Sequence, residues 1–139
     1  MRACVHIGLA AAIATVTLAL QSCSLGLFFL APKFDVSDVQ LEERFNGYLI
    51  RIVAHREIHQ FEALVNRDNW LYITIADASV DLENLASLEP MGLIELIEVT
   101  PFETSTQIVM RLSRKIRYCD IIRDEKSNDI LVAVHIEWE

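Results

Sequence analysis

From Val36 onward the chain alternates apolar and polar residues with a period of two, and this pattern limits the fold more than any other feature. Successive side chains of an extended strand point to opposite faces, whereas a helix repeats every 3.6 residues. The alternation is clearest in the segments 50–54, 61–65, 71–75, 108–112 and 132–136. We therefore predict a mainly β domain.

The segments between these strands predict how they connect. Asn66-Arg67-Asp68-Asn69 carries turn chemistry and predicts a hairpin. Further strands are expected at 93–99 and 116–122, with a polar turn at 124–128. Residues 81–88 have leucines three apart and predict one short connecting helix, ended by Pro90 and Gly92.

The two sets of strands resemble each other at an offset of 58 residues. Matched residues include Ile50, Ile52 and Ala54 with Ile108, Met110 and Leu112, and Arg56 and Ile58 with Arg114 and Ile116. With three extra residues in the second turn, Asp68 matches Asp129, and Leu71, Ile73 and Ile75 match Val132, Val134 and Ile136. Chance similarity between alternating strands is the alternative explanation. The repeat predicts two similar β units, about 36–81 and 94–138, packed face to face as a small two-sheet β-sandwich.

The N-terminus predicts export. Arg2 precedes an apolar segment that ends in Leu20-Gln21-Ser22-Cys23, which resembles the lipobox of bacterial lipoproteins. We expect a signal peptide at 1–22, lipid attachment at Cys23, an apolar lipid-anchored linker at 23–35 and the β domain at 36–139. Gln21 departs from the small residue usual at its position.

An uncleaved N-terminal membrane anchor helix is the alternative, because apolar residues resume at Leu25–Ala31 and the combined segment is long enough to span a bilayer. Both alternatives place the β domain on the periplasmic side of a bacterial membrane. Ser24 follows the cysteine where a retention aspartate would keep a lipoprotein in the inner membrane, so the resemblance to lipoprotein sorting favours the outer membrane.

Composition and missing motifs argue against several classes of function. The formal net charge of −8 disfavours nucleic-acid binding, which needs clustered Lys and Arg. The sequence has no GxSxG, HExxH, CxxC or glycine-rich phosphate motif, so we expect no enzyme activity and no cofactor. Cys119 is expected to be a small buried core residue, and His55, His59 and His135 to be ordinary histidines and no metal site.

The strands from Leu93 to Glu137 resemble the AMIN domain, a noncatalytic module of bacterial cell-wall amidases and of some secretins. The similarity lies in Ile94–Val99, Thr106–Leu112, a strand to Ile122 and Asn128–Val134, and the segment Trp70–Ile75 repeats the last pattern. The resemblance implies two facing β-sheets with approximate symmetry, and binding of peptidoglycan or an envelope-assembly partner.

The candidate binding surface consists of Trp70, Tyr72, Arg51 and Arg111. Large aromatic rings can stack on sugars, and arginines can bind carboxylates through paired hydrogen bonds. In the alternative interpretation, Trp70 and Tyr72 pack under the helix or against the other half.

The sequence thus predicts a noncatalytic, lipid-anchored periplasmic protein that binds peptidoglycan or an envelope partner. The alternative is a pilotin-like structural accessory of a secretion or pilus machine, held by the uncleaved anchor and binding protein at an exposed strand edge.

Overall fold

The computed structural model of the protein describes residues 31–138. It contains eight strands and one short helix, with bounds β1 Val36–Arg44, β2 Gly47–Ala54, β3 Gln60–Asn66, β4 Trp70–Ala76, α1 Leu82–Ala86, β5 Ile94–Pro101, β6 Ser105–Leu112, β7 Ile116–Arg123 and β8 Ile130–Ile136. The mainly β prediction is confirmed, including the hairpin across 66–69 and the short helix between the two sets of strands.

The strands form two four-stranded antiparallel sheets. The first sheet has the order β1-β2-β8-β7 and the second sheet the order β3-β4-β6-β5. Each sheet therefore contains one hairpin from each half of the chain. We predicted that the two halves pack face to face as separate units, and this part of the prediction is wrong. Strands from different halves pair within each sheet, β2 with β8 and β4 with β6.

The pairing register supports an internal duplication. Val39 lies opposite Ile52 in the first sheet, and 58 residues later Ile97 lies opposite Met110 in the second. Even the irregularity between Val36 and Asp38 recurs between Ile94 and Leu96. Exchanging the two halves converts the strand order of one sheet into that of the other.

The register corrects one part of the predicted repeat. Ile50 pairs with Val132, and its counterpart Ile108 pairs with Ile73, so Val132 corresponds to Ile73 and not to Leu71. The offset between β4 and β8 is therefore 59 residues instead of 61, and the second turn is longer by one residue. The predicted alignment was therefore wrong by two residues. It still assigned each residue to the correct face of its strand, since side chains alternate with a period of two.

One hydrophobic core lies between the sheets. Its fully buried side chains come from both halves and include Ile50, Ile52, Leu71, Ile73, Ile75, Ile108, Met110, Leu112, Ile130 and Val132. The outward residues of the same strands are mostly half-buried or exposed. Burial of these branched side chains is the main favourable contribution to stability.

The helix α1 packs beside β1 and β5 through the buried Leu85. Asp81 caps its N-terminus by accepting a hydrogen bond from the Asn84 backbone at 3.1 Å. The segment after it is held by Tyr48, whose hydroxyl accepts a hydrogen bond from the Leu93 backbone at 2.7 Å. Gly92 has a φ of +55°, and a Cβ there would lie 2.4 Å from that hydroxyl, so the turn requires glycine.

The opposite edges, β3 and β7, contact each other. Arg123 at the end of β7 binds the Glu57 carboxylate at 2.5 Å and also donates to the Ile58 carbonyl. Cys119 in β7 is half-buried, with its thiol 3.9 Å from the Ala63 carbonyl, and burial raises the pKa of that thiol. It therefore lies at the margin of the core and not within it as the sequence predicted.

Within residues 31–138 no helix is long and apolar enough to cross a membrane. The predicted signal peptide, Cys23 and the apolar stretch up to Leu30 lie outside the described residues.

Candidate functional site

The outward side of the second sheet carries a patch that we call the aromatic face. It is formed by Leu64 of β3, Trp70 and Tyr72 of β4, and Val109 and Arg111 of β6. These side chains meet because their backbones are paired: Trp70 lies opposite Arg111, and Tyr72 lies between Leu64 and Val109. Residues that are directly opposite on neighbouring strands share a face and touch.

The rings of the aromatic face are held in a fixed arrangement. The ring centroids of Trp70 and Tyr72 are 6.5 Å apart with an angle of 26° between the planes. The guanidinium carbon of Arg111 lies 5.6 Å from the centre of the Trp70 ring, within range of a cation–π interaction. The two rings and the Arg111 guanidinium therefore form one contiguous group on the outward side of the sheet.

Arg111 retains unused hydrogen-bonding capacity. Its Nε atom is 3.2 Å from a carboxylate oxygen of Glu95, which is close enough for an ion pair. The geometry is not that of a hydrogen bond, and this shielded Nε donates none within residues 31–138. The Arg111 side chain is 43% exposed. A carboxylate approaching the aromatic face could therefore gain a charge-assisted hydrogen bond from the exposed part of its guanidinium group.

The aromatic face is accessible in the part of the chain that the structure describes. Leu64 is 57% exposed, and Trp70, Tyr72 and Arg111 are half-buried, whereas Val109 is buried. The rings do not pack under the helix, since α1 lies beside β1 and β5. They do lie against the other half, because Trp70 contacts Arg111 and Tyr72 pairs with Val109, both of the second half.

Arg51 does not belong to the aromatic face. It lies on the outward side of β2 in the first sheet, where its Nη1 binds Asp129 at 2.9 Å and Asp124 at 3.0 Å. The hydrogen bonds to Asp124 and then to Asp129 raise the pKa of Arg51. The hydrogen bond from the Lys126 backbone, followed by that from Arg51, lowers the pKa of Asp124. Arg51 therefore fixes the β7–β8 turn. Three of the four predicted residues meet, and Arg51 does not.

A second cluster was missed by the sequence interpretation. We call it the basic end; it consists of Arg114, Lys115, Arg117, Tyr118, His135 and Trp138. The β6–β7 loop, the start of β7 and the chain after β8 meet there, because Glu137 donates a backbone hydrogen bond to the Lys115 carbonyl at 3.0 Å. Two adjoining grooves, of about 420 and 470 Å³, run between these residues, and Glu137 lines both of them.

The sequence did contain a signal for the basic end. Residues 104–119 hold four of the twelve Lys and Arg residues and no Asp or Glu, in a chain with a net charge of −8. That segment was interpreted only as strands and a turn. No sequence pattern indicates that Trp138 and His135 join this cluster, since the contact depends on β7 pairing with β8.

The described residues offer little support for a catalytic or metal-binding site. Ser37 Oγ and His55 Nε2 are 2.8 Å apart, but His55 is exposed, and among the described residues no carboxylate contacts that imidazole. A serine nucleophile normally needs its histidine oriented by a third group. No cluster of three or more metal-ligating side chains occurs within residues 31–138.

Searches of known protein families, curated proteins and solved structures found no match to this chain. The AMIN resemblance and the functional predictions drawn from it therefore remain predictions.

Proposed function

We propose that this protein is a noncatalytic, membrane-anchored protein of the bacterial periplasm whose β-sandwich binds peptidoglycan. The observation that carries the proposal is the aromatic face, an outward surface with two neighbouring aromatic rings and a partly exposed arginine beside them. Envelope-assembly proteins are the other partner class that the AMIN resemblance implies.

The chemistry of the aromatic face fits a glycan that bears peptides. Sugar rings have apolar faces that can stack on Trp70 and Tyr72, and large aromatic rings bury much area with little loss of conformational entropy. Arg111 lies beside the rings and could bind a stem-peptide carboxylate. A sheet face also suits an extended polymer, because it imposes no pocket of fixed length.

Attachment to a membrane is the second part of the proposal, and it rests on Leu20, Ser22 and Cys23. A tether would hold the β-sandwich near the cell wall. A surface with low affinity for peptidoglycan could then bind it, because the effective concentration would be high. Labelling with radioactive palmitate tests this part: the wild-type chain should be labelled and Cys23→Ser should not. An unlabelled wild type that keeps its N-terminus would instead indicate the uncleaved anchor.

Sedimentation with purified sacculi tests the binding part. The full chain, purified in neutral detergent, should pellet with sacculi at about 0.15 M salt. Trp70→Ala should weaken binding by about five- to thirtyfold, the loss of 1–2 kcal/mol that is common for a central aromatic contact.

Ile122→Ala is the matched control for the sedimentation. Ile122 is exposed on the outward side of the first sheet, so its loss should leave binding unchanged. Binding that is absent in the wild type, or equal in all three proteins, contradicts the proposed role of the aromatic face.

The pilotin-like alternative needs a strand edge open to a partner peptide. The edges are partly occupied: α1 lies beside β1 and β5, and β3 contacts β7. The geometry thus favours the sheet face over the edges as the binding surface. Co-purification of one envelope protein with the wild type, in the absence of sacculus binding, would reverse this preference.

A further inference from the structure

The basic end concentrates positive charge on a protein that is otherwise acidic. Arg114, Lys115 and Arg117 occupy three of four consecutive positions and are all exposed. Only Lys115 has an ion-pair partner within residues 31–138, the Glu137 carboxylate at 3.4 Å. Clustered cations on a chain with a net charge of −8 attract anions locally, where the rest of the surface repels them.

Aromatic side chains lie among these cations. Trp138 is 53% exposed and Tyr118 is 46% exposed, which is unusual for such large rings. The Arg114 guanidinium carbon lies 4.8 Å from the centre of the Trp138 ring. The Tyr118 ring stacks on His135 with centroids 4.2 Å apart. A flat ring and a charged fork are thus presented together on the same groove.

The internal duplication provides a comparison for the basic end. The backbone at the equivalent place is the same: Ile136 donates to the Asn46 carbonyl at 2.9 Å, and its counterpart Asp77 donates to Thr104 at 3.0 Å. The side chains differ. The positions of Arg114, Lys115, Arg117, Tyr118, His135 and Trp138 are occupied in the first half by Arg56, Glu57, His59, Gln60, Ala76 and Ser79.

Even the arginine that both halves keep has different surroundings. Arg56 binds the Asp35 carboxylate at 2.8 Å and the Asp77 carbonyl at 2.5 Å, so its hydrogen-bond donors are used within the fold. Arg114 contacts a ring and no carboxylate within residues 31–138. The architecture does not require free cations and exposed rings at this place, because the first half forms the same backbone without them.

We propose that the basic end is a binding site for a saccharide that carries carboxylate or phosphate groups. The exposed face of Trp138 stacks on a sugar ring, while Arg114 and Arg117 donate hydrogen bonds to its anionic group. The site takes its strand residues Arg117, Tyr118 and His135 from the first sheet, whereas the aromatic face lies on the second sheet. The two surfaces can therefore be tested independently.

The two tryptophans make that test direct, since the chain contains only Trp70 and Trp138. In the ¹⁵N-labelled full chain in neutral detergent, each indole N–H gives one signal, assigned through Trp70→Phe and Trp138→Phe. Trigalacturonate and N-acetylglucosamine 1-phosphate supply the two anionic groups, and chitotriose is the neutral control. At least one anionic sugar should shift the Trp138 signal saturably and leave Trp70 in place, and which one does so identifies the anion.

Variants separate charge from stacking. Arg114→Gln with Arg117→Gln should weaken binding at least about tenfold, the effect of losing a single 1.4 kcal/mol contact. The control Lys126→Gln, at an exposed lysine of the β7–β8 turn at the other end of β7, should not weaken it. Raising NaCl from about 0.05 to about 0.5 M should weaken binding as well. Trp138→Ala, followed through the backbone amides of 113–118, should weaken sugar binding but not pyrophosphate binding.

Several results would overturn the proposal. Chitotriose binding as tightly as trigalacturonate would remove the role of charge. A Trp138→Ala variant that binds the anionic sugars normally would remove the role of the ring. Absence of any shift at Trp138 would eliminate the site. An unchanged Trp70 signal in each variant confirms that the fold is intact, and sacculus binding through the aromatic face remains a separate measurement.

Discussion

The two halves of the chain differ in their surfaces far more than in their interiors. Ile52 and Met110 occupy equivalent positions, and both are completely buried. The outward surfaces of the two halves have diverged. The second half carries the basic end, whereas the first half has Glu57 and His59 at the positions equivalent to Lys115 and Arg117. A duplicated fold thus keeps its packing, because both copies must fill one core, while its outward positions are free to acquire different chemistry.

The halves are also interlocked, which explains why the core has to match. Since each sheet takes one hairpin from each half, neither half has a complete sheet by itself. About 45 residues would bury too little apolar surface to fold alone. We therefore expect substitutions in the shared core to lower the free energy of unfolding to a similar extent in both halves. Substitutions at diverged positions should differ in their effect.

The largest effect is expected in the core. Ile52→Ala and Met110→Ala each remove a fully buried side chain, and each should lower the free energy of unfolding by about 2–5 kcal/mol. Urea denaturation of the two variants measures this directly. A large loss in one variant and almost none in the other would show that the halves do not share the core equally.

A smaller effect is expected at Asp129, which has no acidic counterpart in the first half. It accepts hydrogen bonds from the Ala54 backbone at 3.0 Å and from Arg51 at 2.9 Å. Asp129→Ala should cost about 1–3 kcal/mol, because it leaves a part-buried donor unpaired. Glu125→Ala in the same turn is the control and should have little effect. Equal losses would indicate that the turn is sensitive to charge alone.

Tyr48 connects the first half to the segment after α1. Its counterpart Thr106 makes no such contact within residues 31–138. Tyr48→Phe removes the hydrogen bond to the Leu93 backbone and should cost about 0.5–1.5 kcal/mol. Thr106→Val should change the stability less. Thermal unfolding of both variants provides the comparison, and a larger loss for Thr106→Val would contradict it.

The smallest effect concerns pH. The hydrogen bond from Arg56, followed by that from the Ser79 backbone, lowers the pKa of Asp35 in the folded protein. The stability it contributes is therefore present above the ordinary aspartate pKa of about 3.9 and is lost as the pH falls through the folded pKa. Asp35→Asn should cost less than about 1 kcal/mol at pH 7 and nothing well below pH 3. A difference that persists in acid would indicate another cause.

The strands could be predicted from the sequence because period-two alternation is a pattern of neighbouring residues. The same property hid the offset of β8: a shift of two residues leaves Ile130, Val132 and Val134 on the inward face, so the pattern cannot reveal it. The pairing of strands from different halves could not be predicted from the sequence either, since it depends on contacts between segments that are distant in the chain.

That limit explains the mixed outcome for the candidate site. Trp70 and Tyr72 are two residues apart on one strand, so their shared face followed from the sequence. Arg111 joins them because β4 pairs with β6, and Arg51 is separated from them because β2 belongs to the first sheet. The basic end was missed for the same reason, as Trp138 reaches Arg114 only after β7 has paired with β8.

The most direct test of the binding role uses two positions with matched exposure on different sheets. Leu64, on the aromatic face, is 57% exposed, and Ile122, on the outward side of the first sheet, is 58% exposed. A photoreactive amino acid is placed at either position in the full chain, cells are irradiated, and the chain covalently retained on purified sacculi is measured. We expect retention from position 64 and only background from position 122. Background retention from both positions, or equal retention from both, would contradict peptidoglycan binding through the aromatic face.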